Sequence, residues 1–123
     1  MELNYSKIKV NRHEVIGAWK CCQQIIKLEI PANPADVALI MECMTSLSNQ
    51  YREKTNKEYK IRLEEKMLKP IWHCLNIFLS NNMAKNHTEA TVLIQMLEKI
   101  AYEIDGDKSD EAKMNQPILE LIK

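Results

Sequence analysis

The chain has 123 residues, of which 46% are hydrophobic and 28% charged, and its 17 basic side chains balance 17 acidic ones. This length and composition are typical of a single folded domain, here predicted over residues 1–123, and exclude a disordered chain. The zero net charge disfavours a protein whose main task is non-specific binding to nucleic acid, because such proteins carry excess positive charge.

Four stretches begin with a polar cap followed three residues later by an acidic residue, a pattern that satisfies the free N–H groups of a first helical turn. The pairs are Asn11 with Glu14, Asn33 with Asp36, Thr55 with Glu58, and Asn86 with Glu89. Each pair precedes apolar residues at helical spacing, which predicts helices over about residues 12–29, 34–54, 57–80 and 88–105. Pro31 is expected to end the first helix, and Gly106 the fourth.

The two ends of the chain are predicted separately from these helices. Residues 1–10 form an N-terminal extension, in which Ile8 and Val10 alternate with lysines as in an extended segment. Residues 106–123 form a tail with a short helix, whose apolar end is expected to dock on the body of the protein. The predicted fold class is all-α: a single-domain bundle of four main antiparallel helices plus a short C-terminal helix.

The third predicted helix is apolar over about half of its circumference, which indicates a central helix with neighbours on two sides. Pro70 lies inside it and cannot donate a hydrogen bond to the carbonyl group of Lys66. Two alternatives follow: the helix kinks at Pro70, or it divides into helices over residues 57–68 and 70–80.

The first predicted helix carries adjacent cysteines, Cys21 and Cys22, which point about 100° apart. Cys22 lies on one apolar face of this helix. A second apolar face lies beyond a polar strip and consists of Gly17, Ala18, Cys21, Ile25 and Leu28. Gly17 and Cys21 are small and four residues apart, so another helix can approach closely there. Two alternatives remain: the chain's own termini cover this second face, or it is an interface with another chain.

The first functional hypothesis is a small non-enzymatic protein that binds a protein partner, or forms a homo-oligomer such as a dimer, through this second face. Trp72 of the third helix is expected to add to the surface. The composition is typical of accessory proteins of bacteria and their mobile elements, including phage inhibitors of host systems. On this hypothesis, a charge at Ile25 abolishes association and leaves the helical fold intact.

The second functional hypothesis is a nucleic-acid-associated factor. Arg62, Lys66, Lys69 and His73 fall on one side of the predicted third helix at spacings of four, three and four, a basic ridge that phosphate can contact. Binding through this ridge would weaken steeply with salt. The alternative is the solvated side of an amphipathic helix, because glutamates interleave with the ridge and no aromatic residues accompany it to stack on bases.

The sequence lacks the spacing of common metal and cofactor sites. Its four cysteines match no zinc pattern, and its two glycines cannot form a phosphate-binding loop. We therefore expect no catalytic residue, no metal and no cofactor. A thiol-dependent enzyme using Cys21 or Cys74 is the third hypothesis, but Cys74 and the neighbouring His73 diverge on a helix, and buried reduced cysteines are the favoured interpretation.

No apolar leader follows the charged start of the chain, and no apolar run approaches the ~20 residues that cross a bilayer. The expected location is the cytoplasm, where the cysteines stay reduced. No membrane partner is expected.

Overall fold

The computed structural model describes residues 4–105, which form four helices and a two-stranded antiparallel sheet. In chain order the elements are β1 (Tyr5–Val10), α1 (Arg12–Lys27), α2 (Pro34–Gln50), β2 (Tyr59–Glu64), α3 (Glu65–Ser80) and α4 (His87–Asp105). Of the described residues 67% are helical, and with the sheet the fold belongs to the α+β class. The all-α prediction is therefore right about the four helices and wrong about the sheet. Gly106 and the predicted C-terminal helix and tail lie outside the described residues.

β2 is a strand where the sequence predicted the first turns of a helix. Tyr59, Ile61 and Leu63 are buried, while the residues between them face outward, which is the period of two of a half-buried strand. The apolar residues at 61 and 63 also fit a helical stripe when they are joined to the helix that follows. The apparent cap at Thr55 lies in a loop, where its hydroxyl accepts a hydrogen bond from the N–H of Lys57 at 3.2 Å.

β1 confirms the extended segment predicted near the start of the chain, and it pairs with β2 across the intervening α1 and α2. Ile8 lies opposite Ile61, and Val10 lies opposite Tyr59. These four side chains are buried, so the inner face of the ribbon closes one side of the hydrophobic core. The sheet exists because its apolar alternation matches on both strands.

Gln50, the last residue of α2, occupies the free edge of β2. Its side-chain amide donates to the carbonyl oxygen of Arg62 at 2.7 Å, and its side-chain oxygen accepts from the N–H of Arg62 at 2.7 Å. The amide thus makes the two bonds that a neighbouring strand would make, and it blocks the edge at that point. It also fixes α2 against the sheet.

α1 and α3 form the centre of the bundle: each contacts the other three helices, while α2 and α4 flank them. The prediction of a central third helix is confirmed. α3 runs as one helix from Glu65 to Ser80, with Pro70 in its second turn, so it does not divide into two helices at Pro70. The proline deprives only the carbonyl group of Lys66 of its helical donor. No helix within residues 4–105 is long and apolar enough to cross a bilayer.

The buried carboxylate of Glu14 joins α1 to α4. It has no exposed surface; Oε1 accepts a hydrogen bond from the N–H of Asn11 at 2.8 Å and one from Nζ of Lys99 at 2.8 Å. The side chain of Asn11 accepts from the N–H of Glu14 at 2.9 Å, which completes the predicted capping box. Lys99 also reaches Glu58 at 3.3 Å, before β2.

Lys99→Met should lower the free energy of unfolding by roughly 3 kcal/mol, because it leaves the buried Glu14 carboxylate without its cation. Urea denaturation followed by circular dichroism measures this loss. The double variant Glu14→Gln/Lys99→Met should recover most of it, since no buried charge remains. Lys66→Met, which removes a cation from an exposed pair with Glu42, is the matched control and should change little. A loss for Lys66→Met as large as that for Lys99→Met would contradict the assignment.

α1 and α3 end in the same way, with one residue in the left-handed region followed by a residue that bonds back into the helix. At the end of α1, Glu29 has φ 55°, and the N–H of Ile30 donates to the carbonyl oxygen of Ile25 at 3.3 Å. At the end of α3, Asn82 has φ 54°. Both are Schellman motifs, in which glycine or asparagine is the preferred left-handed residue. Glutamate is strained in that position.

Glu29→Gly should raise the free energy of unfolding by about 1 kcal/mol, because glycine has no Cβ to clash in the left-handed conformation. Thermal or urea denaturation measures the change. Asn82→Gly is the matched comparison and should gain less, since asparagine tolerates this region better than glutamate does. A destabilised Glu29→Gly protein would show that the Glu29 side chain contributes more than its backbone strain costs.

Candidate functional site

The predicted second face of α1 is largely internal. Ala18 and Cys21 have 0% exposure and Ile25 has 1%. A Cβ added at Gly17 would lie 2.8 Å from Cδ2 of Leu93, so α4 approaches α1 closely at this glycine. The close helix approach predicted at Gly17 is thus made by the same chain. Ala18, Cys21 and Ile25 therefore face the interior of this fold, with α4 against Gly17 and with α2 and α3 beside Ile25, so these residues do not form an open surface of the chain.

The remaining members of the predicted partner surface lie apart from this buried set. Leu28 is the C-cap of α1 and is 50% exposed. Trp72 is half-buried and packs on the core, with its ring edge-on to that of His73 at a centroid distance of 5.3 Å. Leu28 therefore remains available to a partner, and Trp72 is available only in part.

The predicted basic ridge is not a single helical row. Arg62 lies on β2, and Lys66, Lys69 and His73 lie on α3. Nζ of Lys66 is 3.1 Å from Oε2 of Glu42 and 3.5 Å from Oε2 of Glu64, which raises the pKa of Lys66 through hydrogen bonding and charge attraction. The four residues therefore do not form the predicted ridge. α3 begins after Arg62, and Lys66 is already paired with glutamates.

An apolar cleft of about 300 Å³ opens where the C-terminal end of α1, the first turns of α2 and the middle of α3 meet. Its walls include Ile25 of α1 with Ile30 of the following turn, Leu39 and Ile40 of α2, and Pro70 and Ile77 of α3. Asp36, Lys69 and His73 are exposed and stand at its rim. We call this site the α1–α3 cleft. It combines an apolar floor with a few charged groups, the usual composition of a binding site.

The Schellman motif of α1 places Ile30 at this cleft. The chain turns back at Glu29, so that Ile30 lies beside Ile25, the residue to which its N–H is bonded. Ile30 is 44% exposed, and Leu28, two residues before it, is 50% exposed. The α1–α2 turn therefore presents Ile30 to solvent at the mouth of the cleft, and the exposed Leu28 belongs to the same turn but does not line the cleft.

Sequence reasoning found Ile25, Lys69 and His73 but assigned them to other surfaces. It missed Ile30, Leu39 and Ile40, because neither the position of the turn nor the pairing of α2 with α3 can be read from periodicity. The available signal was Ile30 followed by Pro31, an aliphatic residue in a turn that should be polar.

The four cysteines are all buried and reduced. Burial raises the pKa of Cys43 to about 12, and burial also raises the pKa of Cys21 well above the ordinary thiol value. A hydrogen bond to Cys74, together with burial, raises the pKa of Cys22, and the same bond lowers the pKa of Cys74. Cys74 lies in the lining of the α1–α3 cleft but is only 1% exposed, so its sulfur is covered in this fold.

Each of the four native thiols should react with a neutral thiol reagent only as fast as the protein unfolds, because burial hides the sulfur atoms and, at Cys21, Cys22 and Cys43, the raised pKa also disfavours the thiolate. A reactivity time course with and without denaturant measures this. Lys20→Cys, which places a thiol at an exposed position of α1, is the control and should add one rapidly reacting equivalent. A rapidly reacting native cysteine would restore the thiol-enzyme hypothesis.

Within residues 4–105, no group of three or more His, Cys, Asp or Glu side chains is arranged to hold a metal ion. Comparison with known proteins gives no match to a family, to a curated protein or to a solved structure. The function is therefore inferred from the surfaces of this chain alone.

Proposed function

We propose that this protein is a small non-enzymatic interaction module that binds a partner protein at the α1–α3 cleft. The observation that carries the proposal is the exposed Ile30 side chain beside an apolar cleft whose walls come from three helices. Binding surfaces place apolar anchors in such pockets and surround them with polar groups. The volume, about 300 Å³, is at the small end for a ligand site and suits one or two partner side chains.

The charges at the rim indicate the chemistry of the partner. Lys69 is exposed and makes no ion pair within residues 4–105. Asp36 lies in the first turn of α2, where the helix dipole favours its negative charge. Lys69 is therefore the charge left for a partner to meet. The expected partner segment carries an aliphatic or aromatic anchor with a carboxylate nearby.

Burial of the exposed halves of Leu28 and Ile30 supplies part of the binding energy. Full burial of a side chain of this size is worth about 1.5–3 kcal/mol, so the remaining half of each is worth about 1 kcal/mol. Filling the cleft from the partner side adds a comparable contribution. The interface predicted on the second face of α1 is thus proposed instead at the C-terminal end of the same helix.

The alternative of nucleic-acid binding through the predicted basic ridge of Arg62, Lys66, Lys69 and His73 has less support. Lys66 is neutralised by Glu42 and Glu64, and Arg62 belongs to another element. Lys69 and His73 are two basic groups at the rim of an apolar cleft, which favours a partner with an apolar anchor over a phosphate backbone.

Ile30→Asp should weaken partner binding by at least about tenfold, because it places a charge at the mouth of the cleft where an anchor must bury. Selection from a random peptide library against the wild-type protein should enrich segments with an apolar anchor and an acidic neighbour. Affinities of the selected peptides are then measured for both proteins by fluorescence anisotropy.

Met41→Asp is the matched control, since Met41 is 55% exposed on a different side of α2 and does not line the cleft. It should bind the peptides as the wild type does. Equal losses for the two variants, or peptides without an apolar anchor, would contradict the cleft. Light scattering of the unliganded protein completes the test: a dimer abolished by Ile30→Asp would make the occupant a second copy of this chain.

A further inference from the structure

The outer face of the β1–β2 ribbon carries four cations. Lys7 and Lys9 of β1 and Lys60 and Arg62 of β2 are all exposed, on the face opposite the core. The register places Lys7 directly opposite Arg62 and Lys9 directly opposite Lys60. We call these four residues the basic ribbon. They are concentrated on one small surface of a chain whose net charge is zero.

The like charges on this surface oppose one another at close range. The N–H and carbonyl groups of Arg62 bond to Gln50, so they point away from β1. Lys7 with Arg62, and therefore also Lys9 with Lys60, are non-hydrogen-bonded pairs, whose Cα atoms lie about 4.5 Å apart. Like charges at directly opposed positions destabilise a sheet. This arrangement does not stabilise the isolated fold. A bound polyanion would offset the repulsion between the cations, and the arrangement therefore favours a polyanion as the ligand.

Two carboxylates border the basic ribbon, and each also contacts a lysine outside it. Glu64 lies on the same face two residues after Arg62, and its Oε2 is 3.5 Å from Nζ of Lys66. Nζ of Lys9 is 3.8 Å from Oε1 of Glu58, whose other oxygen binds Lys99 at 3.3 Å. Across the part of the chain that the structure describes, Lys7, Lys60 and Arg62 make no ion pair. Three long cationic side chains are therefore free to reach outward from a rigid backbone.

The shape of the surface selects among polyanions. A two-stranded ribbon fits the major groove of duplex DNA, which is about 12 Å wide. Along each strand the cations lie two residues apart, about 7 Å. An acidic peptide would bind best by adding a strand, and at the edge of β2 Gln50 already occupies the backbone groups of Arg62 that such a strand would use. We propose that the basic ribbon binds the phosphate backbone of duplex DNA from within the major groove.

This site shares no residue with the α1–α3 cleft, so it goes beyond the proposed protein binding and is tested independently. When Lys9 exchanges Glu58 for a phosphate, four cations pair with four phosphates, so log K should fall against log salt with a slope of about −3.6, or 0.9 for each phosphate. At 50 mM salt, removing one cation should weaken binding about tenfold on the same relation. Because the net charge is zero, binding should be detectable only at low salt.

The test variant is Lys7→Thr/Arg62→Thr, which removes one of the opposed pairs of cations. A cross-strand Thr–Thr pair is favourable, so the variant should be at least as stable as the wild type. Fluorescence anisotropy with a short labelled duplex should show binding weakened about 100-fold at 50 mM salt, and a salt slope reduced by about 2. Lys20→Gln/Lys85→Gln is the control: it removes the same charge from exposed sites off the ribbon and should bind as the wild type does.

The other probes are a single strand of the same length and polyglutamate, both of which should bind more weakly than the duplex. No duplex binding at low salt would overturn the proposal, and so would equal losses in the two double variants. Tighter binding of polyglutamate would overturn it in favour of an acidic protein partner. Equal binding of the single strand would overturn the placement in the major groove. None of these results depends on the cleft, because Ile30→Asp leaves the basic ribbon unchanged.

Discussion

The buried Glu14 carboxylate is the constraint on which the arrangement of the elements depends. Among the described residues it is the one charged side chain in the core, and its second oxygen has no partner there. A buried carboxylate is tolerated only when it is paired, which fixes α4 through Lys99 and, through the same lysine, the segment that leads into β2. With α4 held against α1 at Gly17, the second apolar face of α1 is closed at that point, while Leu28 at its far end stays exposed. The two binding surfaces that we propose lie at the end of α1 and on the outer face of the β1–β2 ribbon.

The local signals in the sequence predicted the helices well and the sheet poorly. Asn11, Asn33 and Asn86 each accept a hydrogen bond from an N–H group of the first helical turn. Three of the four predicted caps are therefore confirmed, because a cap depends only on residues close by in the sequence. Thr55 shows the limit of that signal, since the same spacing occurs in a loop. β2 could not be recognised by itself, because its partner lies before α1 and the pairing is visible only in three dimensions.

The candidate sites were less predictable than the fold because each is assembled from separate elements. Projection of α1 identified both of its apolar faces, but a face looks the same in sequence whether α4 or another protein covers it. The ridge failed for a related reason: Arg62 and Lys69 share a side only if one helix contains both. The cleft around Ile30 and the basic ribbon around Lys7 depend on a turn and on a register that periodicity does not fix.

The burial of α1 on both of its apolar faces, at Cys22 on one and at Cys21 and Ile25 on the other, is tested by the folding of Ile25→Glu. Circular dichroism and urea denaturation should show a chain that is unfolded or severely destabilised, because an unpaired carboxylate would replace a side chain with 1% exposure. Leu28→Glu, one turn later and 50% exposed, should fold as the wild type does. A stable, fully helical Ile25→Glu protein would contradict the account and return this face of α1 to the surface.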